Sequence, residues 1–223
     1  MLKKRSARTV NTVGYVLGGI SILILIVRNT DIFIRSGWNV EVIPLQVCHI
    51  GSLIAGMALI FKRKWMIMTA FGFNMIPAVL ATVFADSLEN YDTILTIRAQ
   101  AYVWGHIFIV VCALYALLLH LPKLDRSDLY KSVGFVGALA LVAIICNSLF
   151  RWQLNWEPNY FYLFNYKGTP LKFLYNALPT SHYGWFEINW FYTSVLLIVF
   201  VGVFIGMYFL AKLLVNTIRN KQK

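Results

Sequence analysis

Apolar residues fall along the chain in long unbroken runs separated by short polar segments, at about Val13–Val27, Val40–Phe61, Trp65–Ala85, Ala99–Leu121, Val133–Phe150 and Phe191–Val215. A run of about 20 apolar residues can cross a hydrocarbon core of roughly 30 Å as a helix. None of the runs alternates with the period of two that marks barrel strands. Backbone groups left unpaired in lipid are costly, so the pattern predicts helices. The expected fold is all-α, a polytopic membrane protein forming a six-transmembrane-helix bundle in one membrane domain over residues 1–223.

Composition agrees: 59% of the 223 residues are hydrophobic and 13% are charged, too apolar for an ordinary soluble domain. The net charge of +11 raises a nucleic-acid partner, but the basic residues stand beside the apolar runs, as orientation signals do. With the N-terminus inside, residues 1–11, 62–64, 122–132 and the tail from Lys212 hold fourteen Lys and Arg, against six in the outer segments. The positive-inside rule therefore predicts both termini in the cytoplasm of a multi-pass protein of the cell membrane. Lys3, Lys4, Arg5 and Arg8 before the first run resemble a signal peptide, yet no small-x-small cleavage site follows, so the run reads as a retained anchor.

Two outer connections are predicted. Asp86 to Arg98 is polar and acidic. The longer one, Arg151 to Asn189, is dense in Trp, Tyr and Phe and interrupted by Pro158, Pro170 and Pro179. It cannot be a continuous helix and suits the headgroup layer, either as an aromatic belt or as a cover over the outer mouth of the bundle. Gly14-x-x-x-Gly18 permits close helix packing and reads as an internal contact.

Polar residues inside the runs are the candidates for chemistry: Gln46, Cys48 and His49 in the second, Asn74 in the third, Gln100 and His106 in the fourth, Asn147 in the fifth. If the second and fourth helices enter at about Val40 and Arg98, Cys48 and His106 each lie eight residues in, roughly 12 Å deep. A thiol in apolar surroundings is inert unless a base takes its proton, and an imidazole at the same depth would serve. Asn147 could orient that imidazole or donate to an oxyanion. The alternative stays open that Cys48 is a small packing residue and that His106 bonds a neighbouring carbonyl. His49 points roughly 100° away from Cys48 on a helix. Cys112 and Cys146 read as packing residues, and three cysteines inside apolar runs argue against a disulfide framework. Asn74, just before Pro77, reads as a residue that satisfies a kinked backbone. No metal or soluble cofactor is indicated, and no Asp or Glu lies deep in a span.

The order Pro44-Leu45-Gln46-Val47-Cys48, Gly105-His106, then Asn159-Tyr160-Phe161-Tyr162-Leu163 with Pro170 behind it resembles the YwaF family of small six-span bacterial membrane proteins. That family is distantly similar to the transmembrane protein 164 acyltransferases. The resemblance implies a phospholipid acyltransferase with Cys48 as nucleophile, His106 as base, and Asn159 to Leu163 in a loop that closes the site. Gln46, His49, Asn159, Tyr160 and Tyr162 then become candidates for substrate binding, with membrane lipids as partners. The chain departs from the family pattern at Gln46, where His is frequent, and at Leu178 to Tyr183, which replaces a segment rich in Pro and Trp. A substrate-binding or transport subunit for a small molecule, working with a partner protein, is the second expectation, since a compact bundle under an aromatic cover could hold such a ligand. A structural or accessory membrane protein without a pocket is the third.

Overall fold

A computed structural model describes residues 6–84, 93–120, 122–167 and 171–221. Lys3, Lys4 and Arg5, the acids Asp86, Glu89 and Asp92, the expected span ends Ala85 and Leu121, and Pro170 lie outside them.

Helix α1 (Ala7–Ser36) begins where Ser6 accepts a hydrogen bond from the Thr9 amide and ends at Gly37, whose φ of 64° suits glycine. It outruns the predicted Val13–Val27 at both ends. Beyond Val27 its polar residues are satisfied without breaking the helix: Arg28 reaches Glu41, Asn29 donates to the Val42 carbonyl, and Arg35 pairs with Asp31 one turn back.

Helix α2 (Val47–Phe61) starts seven residues later than expected. Pro44 disfavours helical geometry at Ile43, and the carbonyls of Val40, Glu41 and Val42 accept from Tyr160, Arg28 and Asn29 instead of from a helix. A two-residue turn, with Lys62 left-handed at φ 54°, leads to the next span. That span is α3 (Lys64–Thr69), a π-helical turn (Ala70–Asn74) and α4 (Met75–Phe84). Pro77 lacks the N–H that would bond the carbonyl of Phe73, and its ring would collide with that carbonyl; the wide turn just before it fits this defect.

Helices α5 (Ile97–His120) and α6 (Arg126–Leu154) come next. Asp125 and Asp128 form a reciprocal capping box at the start of α6, and left-handed Asn155 ends it. The connection that follows α6 holds defined elements among its described residues. It contains a 3-10 turn (Tyr160–Tyr162), the short α7 (Lys172–Tyr175) and a hairpin of β1 (Ser181–Tyr183) with β2 (Phe186–Ile188) that the apolar pattern did not announce. Gly184, at φ 63°, occupies the first central position of its two-residue loop, as a type II′ turn requires. Asn189 caps α8 (Trp190–Asn220) by accepting from the Tyr192 amide.

Five of these helical segments are long and apolar enough to cross a membrane, and α2, with 15 residues, is a shorter apolar helix. Ile198, Phe209, Leu213 and Leu141 face outward, the inverse of a soluble surface. The molecule is thus a helical, multi-pass membrane protein. Its centre is built on small residues: a Cβ at Gly18 would stand 2.8 Å from the Gly56 oxygen, and one at Gly56 would stand 2.8 Å from the Gly18 oxygen. The Gly14–Gly18 face is therefore an internal contact between α1 and α2, with Gly14 against Tyr115 and Leu59.

Candidate functional site

Helix α1 runs opposite to both α2 and α5 and serves as a ruler between them. Ser21 donates to the Ser52 carbonyl of α2, and the backbone oxygen of Leu17 accepts from Cys112 of α5. Three residues beyond Ser21, a rise of about 4.5 Å, Ile24 meets Gly105 and stands level with position 49 of α2. Cys48 and His106 are therefore at one level, each next to the position that α1 marks. The two residues share a level along the bundle, while the premise of a helix beginning at Val40 does not hold: Cys48 is the second residue of α2.

Both side chains line a cavity of about 420 Å³. Its walls come from α1, the approach to α2, α2 itself, the π turn, α4 and α5, with Tyr162 contributed by the outer connection. Of the residues singled out from sequence, Gln46, Cys48, His49, His106 and Tyr162 line it. Gln46 is the N-cap of α2, and its side chain makes no capping bond.

His106 is buried, and its Nδ1 lies 2.6 Å from the Tyr102 carbonyl one turn earlier. A carbonyl can only accept, so Nδ1 carries the proton and Nε2 of the neutral ring keeps its lone pair. The Tyr102 ring packs against the imidazole at 4.4 Å, and its hydroxyl donates to the Ala81 carbonyl, fixing both rings between α4 and α5. At the cavity rim Glu41 Oε2 receives Arg28 at 3.1 Å and Arg98 at 2.6 Å, tying α1, the α2 approach and α5 together.

His49 and Asn74 are 3% and 2% exposed, and neither has a hydrogen-bond partner for its side chain among the described residues. The Ile43 carbonyl approaches the His49 ring without meeting hydrogen-bond geometry. Asn74 was expected to satisfy the kinked backbone near Pro77. The π turn removes that need, and the amide lies on the cavity wall with both polar atoms uncommitted.

The remaining candidates hold the cover rather than the cavity. Asn147, fully buried on α6, donates to the Tyr160 carbonyl at 3.1 Å and accepts from the Tyr160 amide at 2.8 Å; it is not part of the cavity lining. Asn159 gathers the loop by donating to Asn165 and Lys167 and accepting from the amides of Phe164 and Asn165. Tyr160 is buried, with its hydroxyl on the Val40 carbonyl. These three pin Phe161 and Tyr162 in left-handed backbone, at φ 58° and 56°, a conformation that costs on the order of 1–3 kcal/mol per residue and needs such clamping. Phe161 stacks on Phe73 beside the π turn, and Tyr162 reaches the cavity. Desolvation pushes the Tyr162 phenol up, and a phenol is neutral near neutral pH in any case.

Arg28, Glu41, Ser52, Arg98 and Tyr102 complete the polar lining and were not picked out as site residues from sequence, whereas Asn74 was noted there and assigned to the kinked backbone. The spacing of Tyr102 four residues before His106 was a usable signal, since i and i+4 share a helix face. Cys112 and Cys146 lie away from the cavity; the Cys112 thiol bonds the Leu17 carbonyl across the helix contact.

No match is found among curated proteins or solved structures. A family model does match, the TMEM164 family, over residues 2–208. Nearly the whole chain is covered, including every helix that builds the cavity, and the chain belongs to the TMEM164 family.

Proposed function

We propose that the cavity binds a membrane lipid and that Cys48 and His106 transfer a fatty acyl chain between phospholipids. The observation that carries this reading is the placement of Cys48 on the same cavity, at the same level, as a histidine whose Nδ1 is committed to the Tyr102 carbonyl. In the first half-reaction His106 Nε2 takes the Cys48 proton, the sulfur attacks the ester carbonyl carbon, and the ester C–O bond breaks. The departing lysolipid oxygen takes the proton back from His106. In the second half-reaction the hydroxyl of another lysolipid loses its proton to His106 and attacks the thioester, which returns the thiol.

Membership of the TMEM164 family supports a lipid-related role. We read the topology as six spans, with α2 as the short one, both termini in the cytoplasm of a cell-membrane protein, and the clamped outer connection as the cover of the site. Lipid substrates reach such a cavity sideways from the bilayer, and no soluble cofactor enters the scheme.

The test is acyl exchange between a labelled phospholipid and a lysophospholipid in vesicles carrying the purified protein. Exchange should vanish in Cys48→Ala, and a hydroxylamine-sensitive acyl group should be trapped on Cys48 in the wild type. Full exchange in Cys48→Ala excludes the mechanism. Saturable binding of a small molecule that Cys48→Ala leaves intact, without exchange in either protein, would move the assignment to a binding subunit.

A further inference from the structure

An acyl transfer through Cys48 places negative charge on the former carbonyl oxygen, and a donor must meet that oxygen in a site shielded from water. Asn147, expected from sequence in this role, has its amide engaged with the Tyr160 backbone outside the cavity. One carboxamide on the cavity wall remains buried and without a partner among the described residues, that of Asn74.

Its position arises from two local features. The π turn that ends at Asn74 holds an extra residue relative to an α-helix, which rotates the remainder of the span by about 100°. Gly51 then makes room for the side chain: a Cβ there would stand 3.1 Å from both Cγ and Oδ1 of Asn74. Gly51 is three residues after Cys48, so the two share a face of α2 one turn apart, and the amide rests against α2 about 4.5 Å of helix rise below the nucleophile. The same empty position faces Ile109, three residues after His106. The amide thus borders the Cys48 side of α2 and the His106 side of α5.

Leaving a buried carboxamide unbonded is costly, a cost removed once a ligand oxygen accepts from it. We propose that the Asn74 amide is the oxyanion donor of the site: its Nδ2–H hydrogen-bonds the ester oxygen as the sulfur–carbon bond forms and the carbonyl π pair moves onto that oxygen. It holds the same oxygen again when lysolipid attacks the thioester. The bond weakens when the pair returns and the C–O or C–S bond breaks. This inference rests on the acyl-transfer reading.

The experiment compares two reactions of the same thiol in the purified full-length protein. Acylation of Cys48 by a p-nitrophenyl octanoate ester passes through an oxyanion, whereas alkylation by iodoacetamide does not. Asn74→Leu, which keeps the branching of the side chain and removes the donor, should slow acylation on the order of a hundredfold or more and leave alkylation within about twofold. Equal rates of acylation in the two proteins overturn the proposal, as does an equal fall in both reactions, which marks a structural role. A wild-type protein that takes no acyl group on Cys48 overturns the acyl-transfer reading and this inference with it, and is thereby distinguished from failure of Asn74 alone. Should Asn74→Leu not fold, the wild type still decides. The carbonyl stretch of a 13C-labelled octanoyl group on Cys48 should lie below that of a free thioester, and an unshifted stretch overturns the assignment.

Discussion

His106 Nδ1 and the Tyr102 carbonyl, one turn apart on α5, are held 2.6 Å from each other, and this contact decides which imidazole nitrogen keeps its lone pair. The Tyr102 hydroxyl anchors the same turn to α4 through the Ala81 carbonyl.

Replacing His106 by Gln keeps much of the side-chain length and removes the base. Single-turnover acylation of Cys48 is expected to fall by roughly 10²–10⁴-fold, the range of general base catalysis, with lipid binding to the Cys48→Ala background unaltered. A wild-type acylation rate in His106→Gln removes the base assignment.

Tyr102→Phe tests positioning separately. The backbone carbonyl that orients His106 survives, while the link to Ala81 is lost. A drop of a few-fold in rate, with unchanged substrate affinity, is expected from a loosened ring. A purely affinity-based effect would assign Tyr102 to substrate contact instead.

Asn147→Leu leaves the Tyr160 amide and carbonyl without their buried partner. The cost is on the order of 1–3 kcal/mol, and hydrogen exchange of residues 159–165 should quicken. Protection unchanged over this stretch would show that Asn159 clamps the cover alone.

Gly56→Ala places a methyl group 2.8 Å from both the Gly18 oxygen and the Ile22 side chain. Overpacking of this kind costs roughly 1–3 kcal/mol, and thermal unfolding in detergent should begin at lower temperature. The matching change at Gly202, where a Cβ would meet nothing within 4 Å, is the control and should be silent.

The capping carboxylate of α6 makes a prediction about pH. The bond from the Asp128 amide, reinforced by Lys64, holds the Asp125 carboxyl below its usual range. A depressed folded pKa stabilises above the unfolded value of about 3.9 and ceases to do so as pH falls through the folded one. Protection of the amides of residues 126–129, taken relative to their intrinsic exchange rates, should therefore fall in acid, and Asp125→Asn should remove that pH dependence of the protection. A profile identical in the variant would exclude Asp125 as its source.

Much of this architecture was legible in the apolar runs, because each run overlaps a helix of the structure. The misreadings share a cause: side chains distant in sequence captured backbone groups. Val40 to Ile43 look helical in a hydrophobic window, but Tyr160, Arg28 and Asn29 take their carbonyls and delay α2 to Val47. Asn147 is polar in an apolar run and so looked chemical, whereas its partner is a loop backbone thirteen residues on. Asn74 looked structural because Pro77 lies just beyond it, and no spacing rule reveals that a π turn turns it toward the cavity. The level shared by Cys48 and His106 survived the error in the start of α2 because α1 sets it through contacts near Ser21 and Ile24.

The brevity of α2 has a consequence for the bilayer itself. Fifteen residues rise only about 22 Å, short of the roughly 30 Å hydrocarbon core, so the bilayer beside α2 must thin to meet it. Cys48 lies at one end of α2, nearer one face of the bundle than the other. An acyl exchange run from this position would alter the chain composition of one monolayer while leaving its opposite untouched, making the protein a source of transverse asymmetry.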